Sequence, residues 1–293
     1  MFNGTERRFM IHRSLLYVPG DRPDRLEGAP SRGADAVIID WEDGVAVDRR
    51  DAARGTSLEW LNSPSRASCD IWVRVDAASL RADITELDGI AISGVIVPDA
   101  RPETVAEAAA ALAHGETDEL PPRAVIALIE SAAGVLDAPR TAGVERVHRL
   151  GIGRADLTAD LRWSLPADAH ELAGIYAQIV VASAAAGLAA PIAPTSIEFR
   201  DPDEVARTTA WFAARGFRGR TAIHPAQIPA IHRGLAPSAD ELAHARDVMR
   251  TYRVAQACGS GGGLDARGAF VDRAVARIAA DVLARGGEPV EHL

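Results

Sequence analysis

The chain has 293 residues, 47% hydrophobic and 25% charged, the proportions of a globular protein long enough to bury a large core. A formal net charge of -9 argues against general nucleic-acid or anionic-membrane binding, although it leaves a local basic pocket open. No apolar run reaches the roughly 18 residues of a membrane span, and Met1 to His12 carries basic residues without an apolar centre, so the expectation is a cytoplasmic protein with no membrane segment or secretory signal.

In chain order, apolar runs occupy Ser14 to Val18, Ala36 to Ile39, Ile71 to Val75, Gly94 to Val97, Ala124 to Ile129 and Val147 to Ile152. Pro191 to Pro194 and Thr221 to Ile223 are weaker seventh and eighth members. Most are continuous and β-branched, as parallel strands buried on both faces should be. Between them lie helix-length stretches, including Arg101 to His114, opened by Pro102 and Glu103, and Leu172 to Gly187, closed by glycine. This alternation predicts an α/β fold, a TIM (β/α)8 barrel over residues 1–235, with a doubly wound open sheet as the other fold of the same pattern. Only the barrel gathers all strand ends at one mouth.

Residues 236–293 read as a C-terminal helical extension. Ser238 and Glu241 stand at capping-box spacing ahead of a helix. Gly259 to Gly263 reads as a flexible hinge, and an Ala/Arg-rich helix is expected from about Arg273 to Arg285. The two cysteines, Cys69 and Cys258, have no pairing pattern and read as free thiols.

The chemistry-bearing residues sit just past the runs: Asp40, Glu42 and Asp43, then Arg74 and Asp76, Asp99, Glu130, Asp156 and His224. The sequence contains no lysine; all 32 cationic side chains are arginine. A guanidinium cannot form a Schiff base, so carbon–carbon bond chemistry here would need a metal ion to stabilise an enolate. Glu130, followed by small residues, and Asp156, after the Gly151 to Ala155 loop, are the candidate ligands, a donor set suited to Mg2+. The alternatives are that Glu130 caps the next helix and Asp156 opens a turn. Gly151 and Gly153 lack the third glycine of a dinucleotide fingerprint, which speaks against a nicotinamide cofactor.

Arg13-Ser14-Leu15-Leu16-Tyr17-Val18-Pro19-Gly20-Asp21-Arg22-Pro23 and Gly33-Ala34-Asp35-Ala36-Val37-Ile38-Ile39-Asp40-Trp41-Glu42-Asp43 resemble the opening of the citrate lyase β-subunit-like proteins in the HpcH/HpaI aldolase and citrate lyase family. The resemblance continues through Arg74, Ile129-Glu130-Ser131, Gly151 to Leu157, Gly216-Phe217-Arg218-Gly219 and Ile223-His224-Pro225-Ala226-Gln227. It implies a Mg2+-dependent barrel, trimeric or hexameric, acting on 3-hydroxyacyl-CoA thioesters such as malyl-, citramalyl- or citryl-CoA and releasing an acyl-CoA and an α-keto acid. By the same resemblance Glu130 and Asp156 are metal ligands, Arg74 binds the substrate carboxylate, and Glu42 and Asp43 hold metal-bound waters or orient Arg74. Gly153, Arg154 and Ala155 would line the substrate, and Arg22 and Arg25 would meet CoA phosphates. Asp272, in Gly268-Ala269-Phe270-Val271-Asp272, resembles an aspartate that a lid-like tail contributes to a neighbouring subunit for proton transfer; otherwise it is the N-cap of the last helix. His224 reads as structural and substrate-shaping more than acid–base.

The chain departs from the family pattern at Asp99, where lysine is usual, at Asp76, where asparagine is frequent, and at Ala274, where proline is common. Two other functions therefore stay open: a metal-dependent aldolase on free hydroxy-keto acids without CoA, and a catalytically decayed barrel acting as a binding subunit.

Overall fold

In a computed structural model of the chain, residues 12–63, 69–117, 120–164 and 170–289 are described. They divide into two compact units, Met1–Gly234 and Leu235–Leu293.

The first unit is built on a parallel sheet. Its strands are β1 (Ser14–Pro19), β2 (Ala36–Asp40), β3 (Asp70–Arg74), β4 (Gly94–Val97), β5 (Ala124–Ile129), β6 (Val147–Ile152) and β7 (Arg220–Ala222), ordered β6-β5-β4-β3-β2-β1-β7. The intervening helices are α1 (Pro23–Gly28), α2 (Arg50–Leu61), α3 (Leu80–Glu86), α4 (Pro102–His114), α5 (Ala132–Ala142), α6 (Arg154–Asp160), α7 (Ala173–Ala185), α8 (Pro202–Ala213) and α9 (Gln227–Leu235). Local chemistry sets several starts: Pro102 and Pro202 occupy first-turn positions in which their missing N–H costs nothing, and Asp201 accepts from the Asp203 and Glu204 amides.

The strands are apolar on both faces because both faces are covered. Alternate residues Leu15, Ala36, Ile38, Trp72, Ile96, Ala124, Ile126 and Leu128, together with Ile192, pack into one continuous cluster, as period-2 side-chain alternation requires. Registers pair Pro19 with Asp40, Asp40 with Arg74, Arg74 with Ile96, and Ile129 with Ile152. The ends of β1, β2 and β3 are thereby level with one another, as are those of β5 and β6.

The seventh run differs from expectation. Pro191 to Pro194 makes isolated parallel bridges, Ile192 to Gly151 and Ala193 to Arg220, instead of a ladder. Its flanking prolines have no N–H to donate, and only the Ile192 and Ala193 amides reach Leu150 O (2.9 Å) and Gly219 O (2.8 Å). Below them Arg149, fully buried, donates to the carbonyls of Ala190 (2.7 Å) and His12 (3.0 Å). Among the described residues it has no carboxylate partner, and burial pulls its guanidinium down to about 9.

The second unit contains α10 (Ala239–Ala257), a two-residue-per-strand antiparallel hairpin of β8 (Gly263–Leu264) and β9 (Phe270–Val271), and α11 (Arg273–Arg285). Its core is Ala245, Val248, Met249, Tyr252, Val271, Ala276, Ala279 and Leu283. The Ser238–Glu241 capping box forms in both directions. Gly263, expected in a hinge, is instead paired within the hairpin.

Candidate active site

The loop after β2 is organised by one carboxylate. Asp40, 3% exposed, accepts Arg74 Nε at 2.8 Å and Arg74 Nη2 at 2.7 Å, and also the amides of Glu42 (3.0 Å) and Gly44 (2.9 Å). A Cβ on Gly44 would stand 2.3 Å from Asp40 Oδ2, so the turn needs a residue without one. Glu42 Oε2 lies 2.9 Å from Arg74 Nη1, outside hydrogen-bond geometry, and Asp43 Oδ2 lies 3.6 Å from the same nitrogen. The Tyr17 ring sits under the guanidinium, 5.1 Å from its centroid.

This crowding perturbs ionisation. Burial opposes the charge of Arg74, but the hydrogen bonds to Asp40 and the surrounding negative groups more than offset it and raise its pKa. Burial pushes Glu42 up to about 8 against the opposing pull of Arg74, with Asp43, Glu130 and Asp40 adding to the rise. Burial raises the Tyr17 phenol as well.

Glu130 follows β5 directly and is 8% exposed. It does not cap the next helix; Ser131 does, accepting the Gly134 amide. Glu130 Oε1 instead accepts the Asp99 amide at 2.6 Å. Asp99 reaches that position with φ +37°, in the left-handed region that aspartate tolerates better than most residues. Its own carboxylate accepts from the Ser131 hydroxyl at 2.7 Å. The Asp99 carboxylate is therefore engaged by Ser131, while the backbone amide at that position holds Glu130.

Asp156 lies in the first turn of α6. A Cβ on Gly153 would fall 2.1 Å from Glu130 Oε2 and 2.6 Å from Glu130 Cβ, so glycine there admits the carboxylate. Burial pushes Glu130 up to about 7, the Asp99 amide opposes the rise, and Asp156 adds to it. Burial and the neighbouring Asp156 thus disfavour the charged form of Glu130, a cost that a cation beside it would relieve. Among the described residues, no group of three or more His, Cys, Asp or Glu could hold a metal ion; the candidate donors remain these two side chains, whose hard oxygens are of the kind a hard divalent cation that keeps several waters takes.

A cavity of about 570 Å³ gathers the strand ends. Arg25, Asp43, Arg74, Glu130, Gly153, Arg154, Ala155 and Asp156 all line it, so most of the residues singled out in the sequence converge. Glu42 is reached through Arg74. Arg22 is not among the lining residues, and its guanidinium pairs with Asp24 at 2.8 Å. Asp76 faces Arg50 (2.6 Å) and accepts the Ala78 amide, which makes it a strut of the β3 turn. His224 is exposed, its Nδ1 accepts the Ala226 amide at 3.1 Å, and its ring stacks on Phe199. Asp272, in the second unit, accepts the Val275 amide at 3.0 Å as the N-cap of α11.

Other lining residues carried no functional signal in the sequence. Tyr17 sits inside an apolar run. Arg220 is buried, donating to the Pro194 and Val205 carbonyls and to the hydroxyls of Thr208 and Thr209.

Residues 13–225 match the HpcH/HpaI aldolase/citrate lyase family. The chain is 32% identical over 284 residues to the citrate lyase subunit beta-like protein of Mycobacterium tuberculosis, covering 93% of this chain and 95% of that one. It is 25% identical over 301 residues to the mitochondrial citramalyl-CoA lyase of Mus musculus, 95% and 87% of the two chains. Among solved structures, protein CitE from M. tuberculosis in complex with magnesium, acetoacetate and coenzyme A superposes with a TM-score of 0.78 at 31% identity, over 94% of this chain and 98% of that one. The M. tuberculosis citrate lyase beta subunit complexed with oxaloacetate and magnesium matches with a TM-score of 0.65 at 30% identity, over 76% and 96%. On this match over most of its length, the chain belongs to the HpcH/HpaI aldolase/citrate lyase family.

Proposed function

We propose that the protein is a Mg2+-dependent carbon–carbon lyase, or synthase, that cleaves a 3-hydroxyacyl-CoA thioester of the malyl-, citramalyl- or citryl-CoA type into an acyl-CoA and an α-keto acid. The observation that carries this reading is that Glu130, Asp156 and Arg74 all line one cavity at the strand ends. The ligands of its structural relatives, magnesium with oxaloacetate and magnesium with acetoacetate and coenzyme A, agree with that donor set.

Glu130 and Asp156 would hold the metal, which when bound supplies electrostatic stabilisation for charge developing on substrate oxygens. Arg74 would pair with the keto-acid carboxylate, with Glu42 and Asp43 orienting it or holding waters, while Gly153, Arg154 and Ala155 border the substrate. In the cleavage direction the substrate hydroxyl gives up its proton, the bond between the hydroxyl-bearing and α carbons breaks, and the α-carbon of the thioester is reprotonated. Asp272, contributed to a neighbouring subunit's site, is the candidate for that last proton, and Arg22 and Arg25 for the CoA phosphates. On this reading the Pro191 to Pro194 segment closes the sheet into an eight-membered barrel, the second unit acts as a lid, and the protein works in the cytoplasm as a homo-oligomer, trimeric or hexameric.

Thermal-shift titration with Mg2+ plus pyruvate, glyoxylate or oxaloacetate, then with acetyl-CoA or propionyl-CoA, tests the reading. Stabilisation at both stages is expected. Metal-dependent keto-acid binding with no CoA response would replace it with an aldolase on free hydroxy-keto acids, and no response to any ligand would leave a binding subunit.

A further inference from the structure

Arginine has five N–H donors in a fixed fork, and two of its edges can grip a carboxylate bidentately. In Arg74 the Nε/Nη2 edge is already taken by Asp40, at 2.8 and 2.7 Å. What remains is the end of the fork: both N–H groups of Nη1 and one of Nη2. The orientation of that end is fixed by how firmly Asp40 itself is held. Asp40 is buried and its two oxygens receive the Glu42 and Gly44 amides as well as the guanidinium, so each of its oxygens is engaged twice and it has no second arrangement of comparable quality.

Glu42 and Asp43 do not take the Nε/Nη2 edge. Both approach the opposite nitrogen, Nη1, Glu42 at 2.9 Å without hydrogen-bond geometry and Asp43 at 3.6 Å. Asp43 is moreover largely exposed, with 61% of its side chain accessible.

From this geometry, and resting on the proposed role of Arg74, we infer that Asp40 is the positioning residue of the site: it turns Arg74 so that an α-keto acid carboxylate is received on the Nη1/Nη2 end of the fork. Asp40 acts through Arg74 and need not touch the keto acid. Because the same carboxylate gathers the backbone of the Glu42–Gly44 turn, it also ties the orientation of Arg74 to the placement of the two acidic side chains beside it. A substrate carboxylate then meets a cation already held in one orientation and loses little entropy ordering it.

The test is a double-mutant cycle read by calorimetric binding of pyruvate in the presence of Mg2+, with Mg2+ binding alone as the internal control. Asp40→Asn keeps the shape but places an amide where the guanidinium expects an acceptor. It is expected to weaken pyruvate binding at least tenfold, leave Mg2+ affinity within twofold, and cost less than a further twofold in an Arg74→Ala background. A purely structural role would give the same loss with or without Arg74. Should Asp40→Asn fail to fold, Gly44→Ala is the second variant. Its Cβ would stand 2.3 Å from Asp40 Oδ2 and should reproduce the selective loss of pyruvate by displacing the carboxylate without removing its charge. Wild-type affinity in either folded variant, or full additivity with Arg74→Ala, overturns the inference while leaving the lyase reading standing. Failure of the wild-type protein to bind pyruvate, or unaltered binding in Arg74→Ala, overturns the role of Arg74 itself and the inference with it.

Discussion

Gly153→Ala is the smallest change that reaches the proposed metal site. The backbone of Gly153, at φ -90° and ψ 90°, is open to any L-residue, so the substitution should not strain the chain. Its effect falls on Glu130: the new Cβ would lie 2.6 Å from Glu130 Cβ and 2.1 Å from Oε2, against a favourable carbon–carbon separation of about 3.5–4.0 Å. The Glu130 side chain must therefore retreat by about 1 Å. Octahedral Mg2+ holds its oxygens at about 2.0–2.1 Å and tolerates displacements of only about 0.2 Å. We expect a loss of about 10–100-fold in Mg2+ affinity, about 1.4–2.7 kcal/mol, with the circular dichroism spectrum unchanged. Calorimetric titration of Mg2+ into the folded variant reads this directly. Wild-type affinity would refute the placement of Glu130 as a ligand.

Arg74→Ala removes charged hydrogen bonds from the keto-acid carboxylate, and loss of even one, at about 1.5–3 kcal/mol, should weaken pyruvate binding at least tenfold by calorimetry. Glu130 is raised to about 7 by burial, so in metal-free protein the folded state holds a proton that the unfolded state has released, and this contribution to stability is lost as pH rises through about 7. Mg2+ needs the ionised form, so its affinity should rise across the same window, and the melting-temperature gain from Mg2+ should be larger at pH 8 than at pH 6. Asp272→Asn keeps the cap of α11 but removes the acid, whereas Asp272→Ala should cost about 1 kcal/mol of stability. Lost turnover with unchanged melting in Asp272→Asn marks a proton-transfer role, and retained turnover marks a cap alone. Arg149→Met strands the carbonyls of Ala190 and His12 and should lower unfolding free energy by about 2 kcal/mol or more in urea titration.

Much of the first unit was legible because its strands are buried on both faces, and a continuous β-branched run has few other interpretations. Gly94 to Val97, Ala124 to Ile129 and Val147 to Ile152 stand at their expected bounds. Where polar or proline residues interrupted the pattern, legibility failed: Pro191 to Pro194 yields bridges and not a strand, and β7 begins one residue early, at a buried arginine. The site was legible to the extent that acidic residues directly follow apolar runs. Hydrogen-bond direction was not. Nothing in the order Asp40, Glu42, Asp43 says which of them grips Arg74, and nothing in Asp99 says that its amide serves Glu130 while its side chain turns to Ser131.

In the proposed lyase, Glu130 and Asp156 together bind one divalent cation. A crystal of the protein soaked in Mn2+, which gives an anomalous signal where Mg2+ does not, tests it most directly. A single strong anomalous peak within about 2.3 Å of carboxylate oxygens from both residues is the expected result. A peak elsewhere, or none between them at saturating Mn2+, would contradict it.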